Sequence, residues 1–134
     1  MRIVYDDTKQ KEAIKLIHDY LMFTHKHQLT DRRFCRWSYG MNRVEGYKVK
    51  ECINGMLEDY RFSLGKDIST SSIGNNRQYP IYYDGNDNEM QLCGYLNLTV
   101  GLYGEAYVSV SDFKDKVVSN RYKIYAGLGG ISIQ

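Results

Sequence analysis

The sequence predicts an α+β fold, in which a helical half precedes a small antiparallel β-sheet. Apolar residues recur at helical spacing up to about residue 66, whereas apolar and polar residues alternate from about residue 77 onward. Between the two halves, residues 67–76 are polar and carry few side chains that could build a core, which is typical of a linker loop. Because 134 residues suit one domain, we expect a single compact domain over 1–134, with a helical sub-unit at 1–66 and a β-rich sub-unit at 77–134.

The first helix is predicted over residues 8–23. Asp6, Asp7 and Thr8 supply N-cap side chains and negative charge, which stabilise the N-terminus of a helix. The apolar side chains that follow at helical spacing are Ala13, Ile14, Ile17, Tyr20 and Leu21. A polar link over residues 24–29 then separates this helix from the next one.

A short second helix is predicted over residues 31–39. Thr30 is a suitable N-cap residue, and Gly40 is a suitable residue to end the helix. Phe34 and Trp37 lie three positions apart, so a helix would place both rings on one face and in the core.

The third helix carries the longest apolar stripe of the chain, and Gly65 ends it. Its apolar positions are Val49, Cys52, Ile53, Met56, Leu57 and Tyr60. Gly55 lies inside the stripe and weakens the helix by about 1 kcal/mol relative to alanine. We interpret this glycine as allowing close packing against the second helix. Together the three helices are expected to form a helix-turn-helix-like unit.

The second half is predicted to form strands joined by short turns. Strands are predicted at 79–83, 92–100, 106–110 and 122–125, with a turn at Asp84–Asp87 and a short apolar tail at 131–133. The period of two in residues 92–100 indicates a half-buried strand, and Gly101 and Gly104 bracket the turn of a hairpin over 92–110. A sheet this small leaves edges that need cover, so we expect a homodimer.

Composition excludes several classes of protein. No run of roughly 18 apolar residues occurs, so no membrane span is predicted. The N-terminal residues lack the pattern of a secretory signal. Cys35, Cys52 and Cys93 are odd in number and widely spaced, which favours reduced thiols in a cytoplasm over a disulfide framework.

The chain carries no recognisable catalytic, metal or cofactor motif. His25, His27 and Cys35 are the one set that could supply three metal ligands, but the other cysteines lack partners at ligand spacing, so we expect no metal. Cys52 and Cys93 fall at apolar positions typical of inert core thiols. The sequence therefore predicts neither an enzyme nor a bound cofactor.

The basic excess lies entirely in the first half of the chain. Residues 1–66 carry 13 Lys and Arg against 9 Asp and Glu, whereas residues 67–134 carry 5 against 7. Arg32 and Arg36 lie four positions apart, so the predicted second helix would place them on one face. A basic face on a helix-turn-helix suits DNA phosphates, but it equally suits an acidic protein surface, or solvent alone.

The 13 tyrosines have two interpretations as well. Tyrosine is enriched at binding surfaces, and it also favours strands. The predicted partner-binding residues combine these tyrosines with the basic cluster: Arg32, Arg33, Arg36, Tyr39, Arg43, Tyr47 and Lys48.

The helical half resembles a known family. Its features are a Thr30–Asp31 cap, two aromatic residues three apart, the Gly40 stop, and a long helix that ends in Glu58, Asp59 and Tyr60. This pattern is similar to the helical N-terminal domain of an anti-CRISPR family of streptococcal phages, the AcrIIA group. The resemblance covers roughly residues 5–66.

The resemblance implies a phage protein that helps its phage evade host defence. Family members bind and inhibit the type II-A CRISPR effector nuclease in the host bacterial cytoplasm, act as homodimers and cleave nothing themselves. The alternative is a small helix-turn-helix transcriptional regulator that binds DNA. The net charge of +2 is low for such a regulator, and Glu51, Glu58 and Asp59 crowd the long helix with negative charge, which favours a protein partner.

Overall fold

The computed structural model describes residues 2–70, 75–85 and 89–134, and over these ranges helices pack on one face of a seven-stranded sheet. The helices are α1 (Asp7–Lys26), α2 (Thr30–Phe34) and α3 (Gly46–Glu58). The strands are β1 (Arg2–Tyr5), β2 (Cys35–Ser38), β3 (Met41–Val44), β4 (Phe62–Leu64), β5 (Asn76–Tyr83), β6 (Glu89–Val100), β7 (Ala106–Ser111), β8 (Tyr122–Ile124) and β9 (Ile131–Ile133). The α+β class is confirmed.

Helix α1 begins as predicted and extends beyond its predicted end. The Asp6 carboxylate accepts a hydrogen bond from the backbone N–H of Lys9 at 2.9 Å, which is the expected N-cap. The helix continues to Lys26 because Thr24 is accommodated: its hydroxyl donates to the carbonyl of Tyr20 at 2.9 Å. The buried face of α1 consists of Gln10, Ala13, Ile17, Leu21 and Thr24.

The predicted second helix over 31–39 is wrong beyond Phe34. Strands β2 and β3 form an antiparallel hairpin in its place, joined by Tyr39 and Gly40. Both turn residues have positive φ, 51° and 80°, and such two-residue turns match the twist of paired strands. Trp37 is 70% exposed, so its predicted place in the core is also wrong.

Helix α3 confirms the predicted apolar stripe as far as Leu57, but the predicted end at Gly65 is wrong, because the helix ends at Glu58 and Tyr60 beyond it is exposed. Val49, Ile53 and Leu57 are fully buried, and Met56 packs against them from a half-buried position. The interpretation of Gly55 is wrong, because a side chain built at this position would meet nothing within 4 Å. The helix-turn-helix-like arrangement is not confirmed, since a hairpin separates α2 from α3.

The sequence predicts a sheet that follows the helices in the chain. The observed sheet also includes strands from the first half of the chain. Its strand order is β4-β5-β6-β7-β8-β9, and β1 pairs in parallel with the first residues of β6. Two of its strands, β1 and β4, therefore come from the half predicted to be helical. The predicted hairpin over 92–110 is confirmed by the antiparallel pairing of β6 with β7, and the apolar tail forms β9. Within the predicted turn at 84–87, residues 86 and 87 lie outside the described ranges.

The two faces of the sheet differ in chemistry. Leu96, Leu98 and Val110 are buried beneath the helices, whereas the opposite face carries hydrogen-bonded polar side chains. On that face the Asn97 amide donates to the hydroxyls of Ser109 and Ser111, as expected when only one face of an antiparallel sheet is covered. Over the described ranges, no helix combines the length and the apolarity needed to cross a membrane.

Candidate protein-binding surface

The β2–β3 hairpin is fixed to the turn that joins β6 and β7. The backbone N–H of Val44 donates to the carbonyl of Gly104 at 2.8 Å. Gly104 is buried with a φ of +81°, and a Cβ atom there would lie 3.3 Å from Cγ of Arg43. Glycine at this position thus lets the hairpin approach the turn closely, and the two segments form one surface.

This surface exposes large apolar side chains. From the hairpin come Trp37, Tyr39, which is 98% exposed, and Met41, and from the turn come Leu102 and Tyr103, at 81% and 85%. We call these five residues, together with Arg36, the hairpin surface. Met41, Leu102 and Tyr103 also line one groove of about 710 Å³, which shows that the two segments are contiguous. Contiguous exposed apolar side chains, such as Met41, Leu102 and Tyr103, are typical of interaction sites, whereas single exposed apolar residues are not.

Tyr39 is held in an unfavourable backbone conformation. Its φ of 51° belongs to the left-handed region, which costs about 1–2 kcal/mol for a residue with a side chain. Asn, Asp or Gly ordinarily occupies this position of a two-residue hairpin turn. The Tyr39 ring is almost fully exposed, and its backbone is strained, so this residue contributes little to the stability of the fold. Such a residue indicates a role in function rather than in folding.

Charged groups stand at both sides of the hairpin surface. Arg36 is exposed and lies 3.6 Å from the carboxylate of Glu45. In the groove, the ammonium group of Lys123 lies over the rings of Tyr107 and Tyr125, 5.6 Å and 4.8 Å from their centroids. A side-chain hydrogen bond with Ser132 lowers the pKa of Tyr125, and the positive charge of Lys123 lowers it further.

Two of the predicted partner-binding residues are engaged within the chain. The guanidinium group of Arg33 donates to the hydroxyl of Thr24 at 2.7 Å and lies 4.8 Å from the centroid of the Tyr20 ring. The ammonium group of Lys48 donates to the carbonyl of Cys35 at 2.7 Å, which ties α3 to the base of the hairpin. Both side chains are half-buried and hold helices in place.

The other five predicted residues fall into separate groups. Arg36, Tyr39 and Arg43 all lie on the hairpin, where Arg36 of β2 is the register neighbour of Arg43 of β3. Arg32 is exposed on α2, and Tyr47 is exposed on the first turn of α3 beside a different groove. The predicted helical face shared by Arg32 and Arg36 does not exist, because Arg36 lies on β2.

Sequence reasoning missed most of the apolar part of the hairpin surface. The prediction places Trp37 in the core and does not include Met41, Leu102 or Tyr103. One signal was present: Gly40 is the second of two residues between short polar–aromatic runs, and this spacing is typical of a hairpin. Leu102 and Tyr103 occupy a turn between glycines, where large apolar side chains have no core to enter.

The histidines and cysteines do not assemble a metal centre among the described residues. The His25 ring accepts a hydrogen bond from the backbone N–H of Ile131 at 2.9 Å, so it serves the sheet edge. Burial raises the pKa of the Cys35 and Cys93 thiols to about 12, and both therefore stay protonated at neutral pH.

Comparisons of the chain with protein-family models, with curated proteins and with solved structures return no match. A functional interpretation therefore rests on the geometry of the hairpin surface and on the resemblance carried by residues 5–66.

Proposed function

We propose that this protein is a stoichiometric protein-binding inhibitor, and that its target is a type II-A CRISPR effector nuclease. The observation that carries the binding mode is the exposure of Trp37, Tyr39 and Arg36 on one short hairpin. These three residue types dominate the energetics of protein interfaces. The target is taken from the resemblance of residues 5–66 to the anti-CRISPR family, which also implies action in the host bacterial cytoplasm.

The hairpin supports this role because constraints within the chain hold both of its ends. A two-residue turn closes one end, and the hydrogen bond from Val44 to Gly104 fixes the other. Rings such as Trp37 and Tyr39 lose little side-chain entropy when they are ordered. Binding through an aromatic hairpin whose ends are held in this way lowers the entropic cost of association.

The alternative, a DNA-binding regulator, receives less support from the geometry. A helix-turn-helix presents its second helix to the major groove, whereas here the hairpin occupies the position between α2 and α3. Of the basic cluster, Arg33 and Lys48 are turned into the chain rather than toward a ligand. Of this cluster, Arg32 and Arg36 remain exposed. Two cations are few for a protein that must contact several DNA phosphates.

The test is a titration of the purified chain into guide-loaded type II-A nucleases, with cleavage of duplex DNA and binding as readouts. We expect inhibition to saturate near one chain per nuclease and not to grow with incubation time. Trp37→Ala should weaken inhibition by about tenfold or more, because a hot-spot residue contributes at least about 2 kcal/mol. Ile68→Ala is the matched control, since Ile68 is exposed but lies outside the hairpin surface.

Charge reversal gives a second pair of variants. Arg36→Glu should weaken inhibition, whereas Arg121→Glu, at another exposed position, should not. If a panel of nucleases cleaves normally in an excess of the chain, while the chain shifts a specific operator DNA, the regulator is the correct function. Normal cleavage without any DNA shift would mean that the hairpin surface binds a different protein.

A further inference from the structure

Two arginines stand opposite each other on the β2–β3 hairpin. Arg36 of β2 and Arg43 of β3 are register neighbours, so their side chains share one face of the hairpin, with Cβ atoms about 5 Å apart. Like charges directly opposite each other destabilise a pair of strands. Because the two-residue turn at Tyr39 and Gly40 fixes the register, the two cations are held together.

The chain compensates one of these two cations and not the other. Arg36 lies 3.6 Å from the carboxylate of Glu45. Arg43 forms no ion pair with any described residue, and its Nε is buried without a hydrogen-bond acceptor. A buried N–H of a charged group that lacks an acceptor is unfavourable. The hairpin therefore carries one cation whose buried donor requires an acceptor from outside the chain.

The stem of Arg43 is held by the turn between β6 and β7. A Cβ atom at Gly104 would lie 3.3 Å from Cγ of Arg43 and 3.5 Å from its Cα, so the stem passes close to this glycine. The next residue, Val44, donates its backbone N–H to the carbonyl of Gly104 at 2.8 Å. A guanidinium group on a stem held in this way loses less entropy when it binds a ligand.

The surroundings of the two arginines favour a single carboxylate over a phosphate backbone. A nucleic-acid backbone is bound by several cations in series. On the hairpin, acidic residues adjoin the arginine pair instead: Glu45 contacts Arg36, and Glu105 lines the neighbouring groove. These carboxylates would repel a polyanion. One carboxylate matches the planar fork of an arginine, which donates two parallel hydrogen bonds to it.

We propose that Arg43, with Arg36 beside it, binds the carboxylate of an acidic residue in an extended segment of the target protein. Met41 is two residues from Arg43 on β3, so it lies on the same face, about 7 Å along the strand. Side chains of an extended segment recur on one face at the same interval. The bound segment therefore has an acidic residue and, two positions away, an apolar residue that contacts exposed Met41. The proposal rests on the proposed function, in that the hairpin surface binds a protein.

The test is a titration of the purified chain, without any nuclease, followed by the NMR signal of the arginine Nε–H groups. The probes are the peptide acetyl-Glu-Thr-Leu-amide, its control acetyl-Gln-Thr-Leu-amide, and inorganic phosphate at equal ionic strength. We expect the Nε–H signal of Arg43 to shift with the Glu peptide, which should bind about tenfold more tightly than the Gln peptide. No shift, or equal binding of the two peptides, would overturn the proposal. Tighter binding of phosphate would also overturn it, in favour of a nucleic-acid backbone.

Substitutions of Arg43 separate binding from folding. Arg43→Met should weaken the Glu peptide about tenfold or more, measured by backbone amide shifts of the hairpin, and should leave the melting temperature unchanged or raised. Arg43→Lys should also weaken it, because lysine keeps the charge but not the fork. Arg121→Met, at an exposed position outside the hairpin, should bind the peptide like the native chain. A lower melting temperature of Arg43→Met would assign Arg43 to the fold and overturn the proposal.

Inhibition assays distinguish failure of this site from failure of the proposed function. If Arg43→Met inhibits a nuclease as well as the native chain does, the carboxylate site is wrong and the inhibitory function stands. If the native chain binds the Glu peptide through Arg43 but inhibits no nuclease, the carboxylate site stands and the proposed target is wrong.

Discussion

Helix α3 and the β2–β3 hairpin are neighbours in the chain, and both carry large apolar residues, but they use them in opposite ways. In α3, Val49, Ile53 and Leu57 face the core and are fully buried. In the hairpin, Trp37 and Tyr39 face outward and bury little. The apolar residues of α3 therefore stabilise the fold, whereas those of the hairpin are free to stabilise a complex.

The comparison also shows how many repeats of apolar spacing are needed to predict a helix. The stripe of α3 repeats over several turns, so local spacing and core packing agree. Phe34 and Trp37 supply only one repeat, and a single three-residue spacing is compatible with a helix end followed by a strand. Phe34 enters the core from the last residue of α2, and the chain then leaves the helix before Trp37.

The sharpest test of this contrast compares two aromatic residues that sit three positions apart. Phe34 is fully buried, with the Tyr20 ring edge-on at 6.3 Å, so Phe34→Ala should lower the free energy of unfolding by about 3–5 kcal/mol. Trp37→Ala should change it by no more than about 0.5 kcal/mol, as expected for a surface position. Denaturant titration measures both, and similar losses would show that Trp37 belongs to the core.

A pH titration tests whether the base of the hairpin belongs to the core while its tip does not. Burial raises the pKa of Cys35, in β2, and of Cys93, in β6, to about 12. Because the folded chain holds these protons more tightly than the unfolded chain, stability is full below about pH 8.5 and falls as pH rises toward 12. In that window, each thiol should lower the free energy of unfolding by about 1.4 kcal/mol for each pH unit.

The control for the pH titration is a chain without one of the thiols. Cys93→Ala should reduce the steepness of the decline above pH 9 or so, whatever it does to stability at neutral pH. Thiol labelling at neutral pH should also modify half-buried Cys52 well before the other two. Rapid labelling of Cys35 would contradict its place in the core.

A small and specific effect on stability is expected at the tip of the hairpin. Tyr39→Gly should stabilise the fold by about 1 kcal/mol, because glycine adopts a positive φ without strain. The same variant should weaken inhibition, since the exposed ring is lost. Tyr39→Asn provides a check that keeps a side chain compatible with this turn. A chain that is more stable and equally inhibitory would show that Tyr39 plays no part in binding.

Local pattern predicted the elements whose stability is local, and failed where distant contacts decide. The N-cap at Asp6, the stripe of α3 and the β6–β7 hairpin follow from spacing alone. Strand β1 could not be predicted, because four residues acquire a strand conformation only by pairing with β6. For the site, sequence identified Arg36, Tyr39 and Arg43, but not that Arg33 turns toward Thr24.

The parallel pairing of β1 with β6 sets an order for biosynthesis. The first strand emerges from the ribosome early, yet its partner residues 89–92 are made only after both long helices. Until then α1 and α3 lack β6, a strand that both helices contact. Folding rates fall as contacting residues lie farther apart in the chain, so the nascent protein passes through a period with exposed amphipathic helices. The chain must therefore be extended past residue 92 before its first strand can pair within the sheet.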